Sequence, residues 1–178
     1  MWYVLKCRAG QEERLIRSCR QHLSSQAVTD VFQFSSERMK KYLGAWHLDT
    51  CRLFPGYIFL ESGDPKQLWT ELREYQEITE ILEQDGLLLS VSREEQAYLQ
   101  ALCGKSHVLG VSRGVICDGR FVARQGPLQG RETWIRRLDL HHRVAVLKGE
   151  NFRMKAEKQQ LSGAIWAGIL LEEETHSF

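Results

Sequence analysis

The spacing of hydrophobic and polar residues predicts a strand followed by a helix at the start of the chain. Residues Trp2 to Arg8 begin with aromatic and β-branched side chains and end in charge, which is typical of a strand. Gly10 interrupts that pattern, and Gln11 to Ser24 then predicts an amphipathic helix. The apolar side chains of this helix form one core-facing stripe, which consists of Leu15, Ile16, Cys19 and Leu23.

Two further β-prone segments flank a charged stretch. Val28 to Phe34 predicts a second strand, and Tyr57 to Leu60 predicts a third after the bend at Pro55-Gly56. Between them, Ser35 to Arg52 carries clustered basic residues and a glycine. That composition indicates a charged hairpin or a long loop.

Two later helices are predicted from the residues that start them. Asp64 is a favourable N-cap, and Pro65 fits the first helical position, where no amide hydrogen is needed. Ser92 and Glu95 have the spacing of a capping box, which predicts a helix through Cys103. Residues 1–104 therefore mix strands with helices.

Short strands and turns replace the helices after residue 104. Residues 105–113 are predicted to be a linker and residues 114–178 an all-β domain. Candidate strands in this domain are Phe121 to Arg124, Thr133 to Leu138, Arg143 to Lys148 and Phe152 to Glu157. Short strands separated by glycine turns favour a small barrel or roll. The predicted fold class is thus α+β, with a domain of mixed strands and helices first and a small all-β domain second.

Composition excludes several classes of protein. The chain has 178 residues, of which 43% are hydrophobic and 26% charged, and this argues against global disorder. No apolar run approaches the roughly 20 residues that span a bilayer, and Lys6 interrupts the apolar start that a secretion signal needs. Five cysteines, none spaced as CxxC, argue against a disulfide framework and a zinc ribbon. We therefore expect a cytoplasmic protein without a membrane partner, metal or cofactor.

Charge is distributed unevenly along the chain. The formal net charge is +1, yet residues 113–160 hold eleven Lys and Arg against five Asp and Glu. Acidic residues elsewhere, including Glu172 to Glu174, offset this excess. A basic β-domain has the electrostatic character of a nucleic-acid-binding module.

Two segments together resemble the NusG family of transcription elongation factors. The opening WYVLKCRAGQEER and the later LFPGYIFLES resemble the strand, helix and FPGY strand of the NusG amino-terminal (NGN) domain. The segment FVARQGPLQGRETWIRRLDLHHRVAV resembles a KOW motif. It has a G-P-L-x-G turn at Gly126 to Gly130 and an Arg-Val-x-Val strand at Arg143 to Val146. The resemblance implies an NGN domain, an antiparallel sheet flanked by helices, in residues 1–104 and a small all-β KOW barrel in residues 114–178.

Details of the second segment distinguish this chain from a typical member. Thr133 stands where the family's KOW motif usually has a second glycine, and the tail LSGAIWAGILLEEE differs from the usual final strand. The turn Leu140 to Arg143 and the compact length are more similar to specialised paralogues such as LoaP or RfaH. Such paralogues act as processive antiterminators on selected operons.

The resemblance implies a docking site for RNA polymerase. Family members dock the first domain on the polymerase clamp helices, and the apolar ridge of such a coiled coil needs an aromatic hollow. The matching side chains here are Phe54, Tyr57 and Phe59, of which the last two share a strand face. We expect replacement of Phe54 and Tyr57 by Ala to abolish polymerase binding and leave the fold intact. The alternative for these rings is a place in the core, which is weaker for Tyr57 because its hydroxyl favours a wet edge.

The resemblance also implies nucleic-acid contacts in both domains. Arg8, Arg14 and Arg17 match basic positions that face the non-template DNA strand, with a solvated helix face as the alternative. Cations of the second domain are candidates for RNA phosphate contacts, namely Arg124, Arg136, Arg137, Arg143 and Lys148. An RNA hairpin, the ribosome and Rho are the partners that family members bind through this domain.

The sequence predicts a binding protein, not an enzyme. Six histidines are scattered along the chain, and no HExxH, GxSxG, P-loop or dinucleotide fingerprint is present. The main competing interpretation is a ribosome- or RNA-associated KOW protein in translation, which leaves the FPGY segment unexplained. A catalytic protein with a β-barrel appendage ranks third.

Overall fold

The computed structural model describes residues 1–8, 10–81, 88–148 and 165–172. The helices are α1 (Glu12–His22), α2 (Pro65–Glu74), α3 (Gln76–Ile81) and α4 (Arg93–Cys103). The strands are β1 (Trp2–Lys6), β2 (Asp30–Phe32), β3 (Ser35–Tyr42), β4 (Ala45–Arg52), β5 (Tyr57–Glu61), β6 (Leu89–Ser90), β7 (Val108–Leu109), β8 (Ser112–Cys117), β9 (Arg120–Gln125), β10 (Ile135–Asp139), β11 (Val144–Leu147) and β12 (Trp166–Leu171).

These elements form two compact units whose division does not follow chain order. The amino-terminal unit contains Met1–Phe34 and Phe54–Ala97. The second, here called the hairpin–sheet unit, contains Ser35–Leu53 together with the described residues from Tyr98 onward. The hairpin of β3 and β4 therefore belongs with the carboxy-terminal strands, although it lies in the first half of the sequence.

The amino-terminal unit is built on an antiparallel sheet of order β2-β5-β1-β6. Alternate residues of its strands point to opposite faces, and one face packs on the helices. Tyr3, Leu5, Ile58 and Leu60 enter this core from the sheet. The helices contribute the predicted apolar stripe of α1 and two leucines of α2, so the core contains Leu15, Ile16, Cys19, Leu23, Leu68 and Leu72.

Both predicted helix starts are confirmed. The Asp64 carboxylate accepts hydrogen bonds from the backbone N–H groups of Lys66 and Gln67, each at 3.0 Å. Ser92 and Glu95 form the reciprocal bonds of a capping box, at 2.9 and 3.2 Å. These contacts satisfy amides that have no partner within the first turn of a helix.

The hairpin–sheet unit contains a five-stranded sheet of order β10-β11-β12-β8-β9. Neighbouring strands are antiparallel except β12 and β8, which run parallel. Three of the predicted strands are confirmed within a residue or two, as β9, β10 and β11. The predicted strand from Phe152 to Glu157 lies outside the described residues.

The charged stretch after residue 34 forms a hairpin. β3 and β4 pair antiparallel from Ser35↔Arg52 to Tyr42↔Ala45, and β7 adds to β3 in parallel. The two-residue turn has positive φ at both positions, 50° at Leu43 and 79° at Gly44, which is the backbone that matches the twist of a hairpin. The structure therefore shows a hairpin here and not a long loop, which is the first of the two predicted alternatives.

The hairpin is seated closely on β12. A Cβ placed on Gly168 would lie 2.4 Å from the carbonyl oxygen of Glu37, so the two backbones approach too closely for a side chain between them. The Ser36 hydroxyl, fully buried, donates to the carbonyl of Trp166 at 3.3 Å. Glu37 also accepts a bond from the N–H of Val111 at 3.3 Å.

The predicted linker at residues 105–113 is not a linker in this structure. It contains the end of a 3-10 turn at Gly104–Ser106, all of β7 and the start of β8. The N–H of Ser35 donates to the carbonyl of His107 at 3.0 Å, which continues the pairing of β3 with β7. The glycine and small polar residues of this segment favour a linker by their local composition. Strand pairing with the distant hairpin orders the segment instead.

Candidate functional site

The face of the amino-terminal sheet opposite the helices is aromatic. Five rings pack with centroids 4.8 to 5.9 Å apart, a favourable range for aromatic pairs, and these are Trp2, Phe32, Phe34, Phe54 and Phe59. We call this set the aromatic cluster. No member is more than 7% exposed.

A buried carboxylate holds the turn that leads into the FPGY strand. Gly56 has φ of 81°, and its N–H donates to Glu12 at 2.8 Å while its carbonyl accepts from the N–H of Cys7 at 2.8 Å. Glu12 is only 1% exposed. Because both backbone groups of Gly56 are bonded, the turn between Phe54 and Tyr57 is fixed. Nothing in the sequence marks Glu12 for this role, since an acidic residue in the first turn of a helix is ordinary.

The predicted polymerase-binding rings do not share one environment. Phe59 is fully buried and Phe54 is 7% exposed, so both take the core alternative. Tyr57 lies on the same face, at the first residue of β5, and is partly exposed. Against the expectation that Phe54→Ala leaves the fold intact, truncating a buried phenylalanine should remove about 3–5 kcal/mol of stability. Tyr57 is the ring that can meet a partner directly, with Phe54 and Phe59 supporting it.

The three predicted DNA-facing arginines of the amino-terminal unit are all exposed. Arg14 lies 3.8 Å from the carboxylate of Glu77 in a surface ion pair. Arg8 precedes α1 and Arg17 lies on its polar side, and neither has an ion-pair partner among the described residues. Of the three predicted arginines, Arg8 and Arg17 therefore have most of their charge available to an anion.

The predicted phosphate-contacting residues of the second unit separate into two groups. Arg143 lies with its guanidinium 5.3 Å from the centre of the Trp46 ring on the hairpin, and Arg124 pairs with Glu172 at 3.1 Å. Arg136, Arg137 and Lys148 are exposed and have no ion-pair partner among the described residues. The sequence pattern could not separate these groups, because the partners of Arg143 and Arg124 are distant in the chain.

The histidine-bearing turn is held by a carboxylate. The backbone N–H of His142 and its ring nitrogen both lie 3.0 Å from the Asp139 carboxylate. These two bonds, with a smaller contribution from the charges of His142 and Arg137, lower the pKa of Asp139 below its ordinary value. The arrangement fixes the backbone around Arg143, whose φ is 54°.

Two of the buried thiols, Cys19 and Cys103, are poor nucleophiles. Burial, together with the proximity of Cys7, raises the pKa of Cys19 to about 12, and burial raises the pKa of Cys103 to about 12. A thiol with such a pKa carries almost no thiolate at neutral pH. Within the described ranges, no group of three or more His, Cys, Asp or Glu residues is placed to hold a metal ion.

An antiparallel sheet with helices on one face and a buried aromatic cluster on the other defines an α+β domain. The family model described as "Transcription termination factor nusG" matches residues 1–100, and the chain belongs to the NusG family. Proteins of this family act in transcription elongation and generally bind RNA polymerase. No curated protein matches the chain. No helix in the described part of the chain is long and apolar enough to cross a membrane.

Proposed function

We propose that this protein is a non-catalytic, cytoplasmic elongation and antitermination factor that docks on the RNA polymerase clamp helices through the surface around Tyr57. The observation that carries the proposal is the turn at Gly56, whose backbone N–H and carbonyl are both hydrogen-bonded. Gly56 is held by Glu12 and Cys7, so the backbone that carries the partly exposed Tyr57 is held in one conformation. An aromatic residue on pre-ordered backbone loses less conformational entropy on binding, which suits an interface hot spot.

The buried rings behind Tyr57 support the same proposal. The aromatic cluster packs the strand that carries Tyr57 against β1, with Tyr57 opposite Lys6 and Phe59 opposite Val4. A coiled-coil arm presents an apolar ridge flanked by polar residues. An aromatic ring with a hydroxyl at its wet edge matches both parts of such a ridge.

We infer that Arg8 and Arg17 contact the non-template DNA strand while the domain is docked. Both are exposed cations, Arg8 before α1 and Arg17 in its middle, and single-stranded DNA is bound through cations that follow its backbone. The carboxy-terminal strands act as a KOW domain that binds nucleic acid or a protein partner. The turn from Leu140 to Arg143 favours the specialised, LoaP- or RfaH-like role on selected operons.

Binding of core RNA polymerase by the full chain tests the docking proposal. We expect Tyr57→Ala to weaken binding by about 30-fold or more, the effect of losing a hot-spot ring of about 2 kcal/mol. Tyr57→Phe keeps the ring and should retain most of the affinity. Trp69→Ala, which removes a 36% exposed ring from α2, is the matched control and should leave affinity unchanged. Equal affinity of Tyr57→Ala and the unaltered protein would show that this surface does not bind polymerase.

The DNA contact is tested by the salt dependence of binding to single-stranded DNA. Removal of one cation that binds a phosphate should reduce the slope of log affinity against log salt by about one. We therefore expect a smaller slope for Arg8→Gln and for Arg17→Gln, and an unchanged slope for the control Arg93→Gln. Unchanged slopes in all three variants would exclude these contacts.

Copurification separates the transcription proposal from a role in translation. Tagged protein isolated from its host should bring down polymerase subunits, and Tyr57→Ala should lose them. Recovery of ribosomal particles without polymerase would favour the translation-side interpretation instead.

A further inference from the structure

A groove of 810 Å³ lies between the two outer strands of the five-stranded sheet, β9 and β10. Its apolar lining comes from both strands, namely Phe121, Val122, Ile135 and Leu138. Val122 is 43% exposed within it. The groove thus offers aliphatic surface that the unit itself leaves uncovered.

Arginines dominate the charge of the groove. Arg120, Arg136 and Arg137 line it, and all three are exposed. Glu132 is the one acidic residue among its described lining residues, and its carboxylate accepts a hydrogen bond from the N–H of Ala123 at 3.2 Å. A ligand in this groove therefore meets a strong excess of positive charge.

The two strands that border the groove, β9 and β10, are the edge strands of the five-stranded sheet. Within the described residues, β9 pairs with β8 and β10 pairs with β11, and neither pairs with a further strand on its outer side. An outer strand carries N–H and C=O groups that can pair with an added strand. Recognition of extended peptides commonly uses such an edge, with pockets for alternate side chains.

We propose that this groove binds an extended acidic segment of a protein partner, which adds to the edge of β10. Alternate side chains of an extended segment point to opposite sides. One set would contact the aliphatic lining at Ile135 and Leu138, and acidic side chains of the other set would pair with Arg120, Arg136 and Arg137. Arginine forms bidentate hydrogen bonds with carboxylates, which gives such a pairing its geometry.

The lining favours a peptide over single-stranded RNA. Proteins that bind unpaired bases stack them on exposed aromatic rings. The aromatic ring of this groove, Phe121, is only 2% exposed and offers no such platform. This inference rests on the proposed function, in which the second unit binds nucleic acid or a protein. It assigns a protein ligand to the groove.

Fluorescence anisotropy with the full chain tests the inference. The probes are a fluorescein-labelled decapeptide of alternating Glu and Val, the same peptide with Lys in place of Glu, and a fluorescein-labelled oligouridylate. We expect the Glu-Val peptide alone to bind. Arg120→Gln and Arg136→Gln should each weaken it by about tenfold or more, the effect of one charge-assisted bond.

Controls separate the groove from general electrostatics and from the docking surface. Arg113→Gln removes an exposed arginine of β8 outside the groove, and it should leave peptide affinity unchanged. A Glu-Val peptide methylated at every second amide should bind weakly, because it cannot complete strand pairing. Binding of oligouridylate without the peptide, binding of neither probe, or unchanged peptide affinity in Arg120→Gln and Arg136→Gln would overturn the inference. Polymerase binding by the same variants should be unchanged. A failure of the groove inference and a failure of the proposed docking at Tyr57 therefore give different results.

Discussion

Gly168 is the position where a single methyl group should separate the hairpin from the sheet. An alanine Cβ there would lie 2.4 Å from the carbonyl oxygen of Glu37, and 3.1 Å from the Arg38 Cα and from a methyl carbon of Val111. Two of these neighbours are backbone atoms of β3, so no rotation of a side chain relieves the contact. β3 and β12 must move apart, and this weakens the bond between the buried Ser36 hydroxyl and the carbonyl of Trp166.

The expected cost of Gly168→Ala follows from overpacking. Added methyl groups in packed sites cost about 1–3 kcal/mol, and backbone contacts belong at the upper end of that range. With a urea dependence of about 2 kcal/mol/M, a loss of about 2 kcal/mol lowers the midpoint of unfolding by about 1 M. Urea titration followed by tryptophan fluorescence measures this shift, since Trp46 and Trp166 lie in the unit affected.

Gly63→Ala is the matched control for this prediction. A Cβ on Gly63 meets no atom within 4 Å, and its φ lies outside the left-handed region. We expect this variant to unfold at the same urea concentration as the unaltered protein, or slightly higher. If Gly168→Ala were as stable as Gly63→Ala, the close seating of the hairpin on β12 would be refuted.

Three further changes have definite expected outcomes. Hydrogen bonds from the side chain and backbone of Ser24 and from Gln67 lower the pKa of Glu71. The contribution of the Glu71 carboxylate to stability is therefore present above the unfolded pKa of about 4.5 and is lost as pH falls through the lower folded pKa. Glu71→Gln should therefore destabilise at pH 7 by about 1–2 kcal/mol, and an equal loss at pH 3 in urea titrations would contradict this. Glu12→Ala should weaken polymerase binding together with stability, because it frees the Gly56 turn; retention of both would show that the turn needs no brace. Leu43→Asn should raise the free energy of unfolding by up to about 1 kcal/mol. Leu43 is 96% exposed and has φ of 50°, a backbone conformation that asparagine tolerates better than leucine. A lower urea midpoint of unfolding for this variant would contradict the prediction.

Local signals carried most of what the sequence predicted correctly. Asp64 caps its helix through bonds to residues two and three positions later, so a short window contains the whole interaction. The alternation around Tyr57 and Phe59 likewise places them on one face, as observed, because strand geometry fixes a two-residue period. The resemblance of the FPGY segment to NusG is borne out by the family match over residues 1–100.

Features that depend on distant partners could not be predicted in this way. The hydrogen bond from Gly56 to Glu12 joins residues 44 positions apart, and nothing in the spacing of either residue indicates it. Whether Phe59 is exposed depends on the rings of Phe32, Phe34 and Phe54, which two other segments of the chain contribute. For the same reason, local glycines and polar residues made residues 105–113 resemble a linker, although β7 pairs with the hairpin.

The seating of the hairpin on β12 also sets an order of events during protein synthesis. Ser36 and Trp166 are 130 residues apart, so at about 5–20 residues per second the ribosome adds the later partner roughly 6–26 s after the earlier one. Throughout that interval the nascent hairpin lacks the strand that buries Ser36, while the amino-terminal sheet already has all its strands once Ser90 has emerged. The amino-terminal unit can thus mature first, and the second unit assembles as a delayed step once β12 has been synthesised.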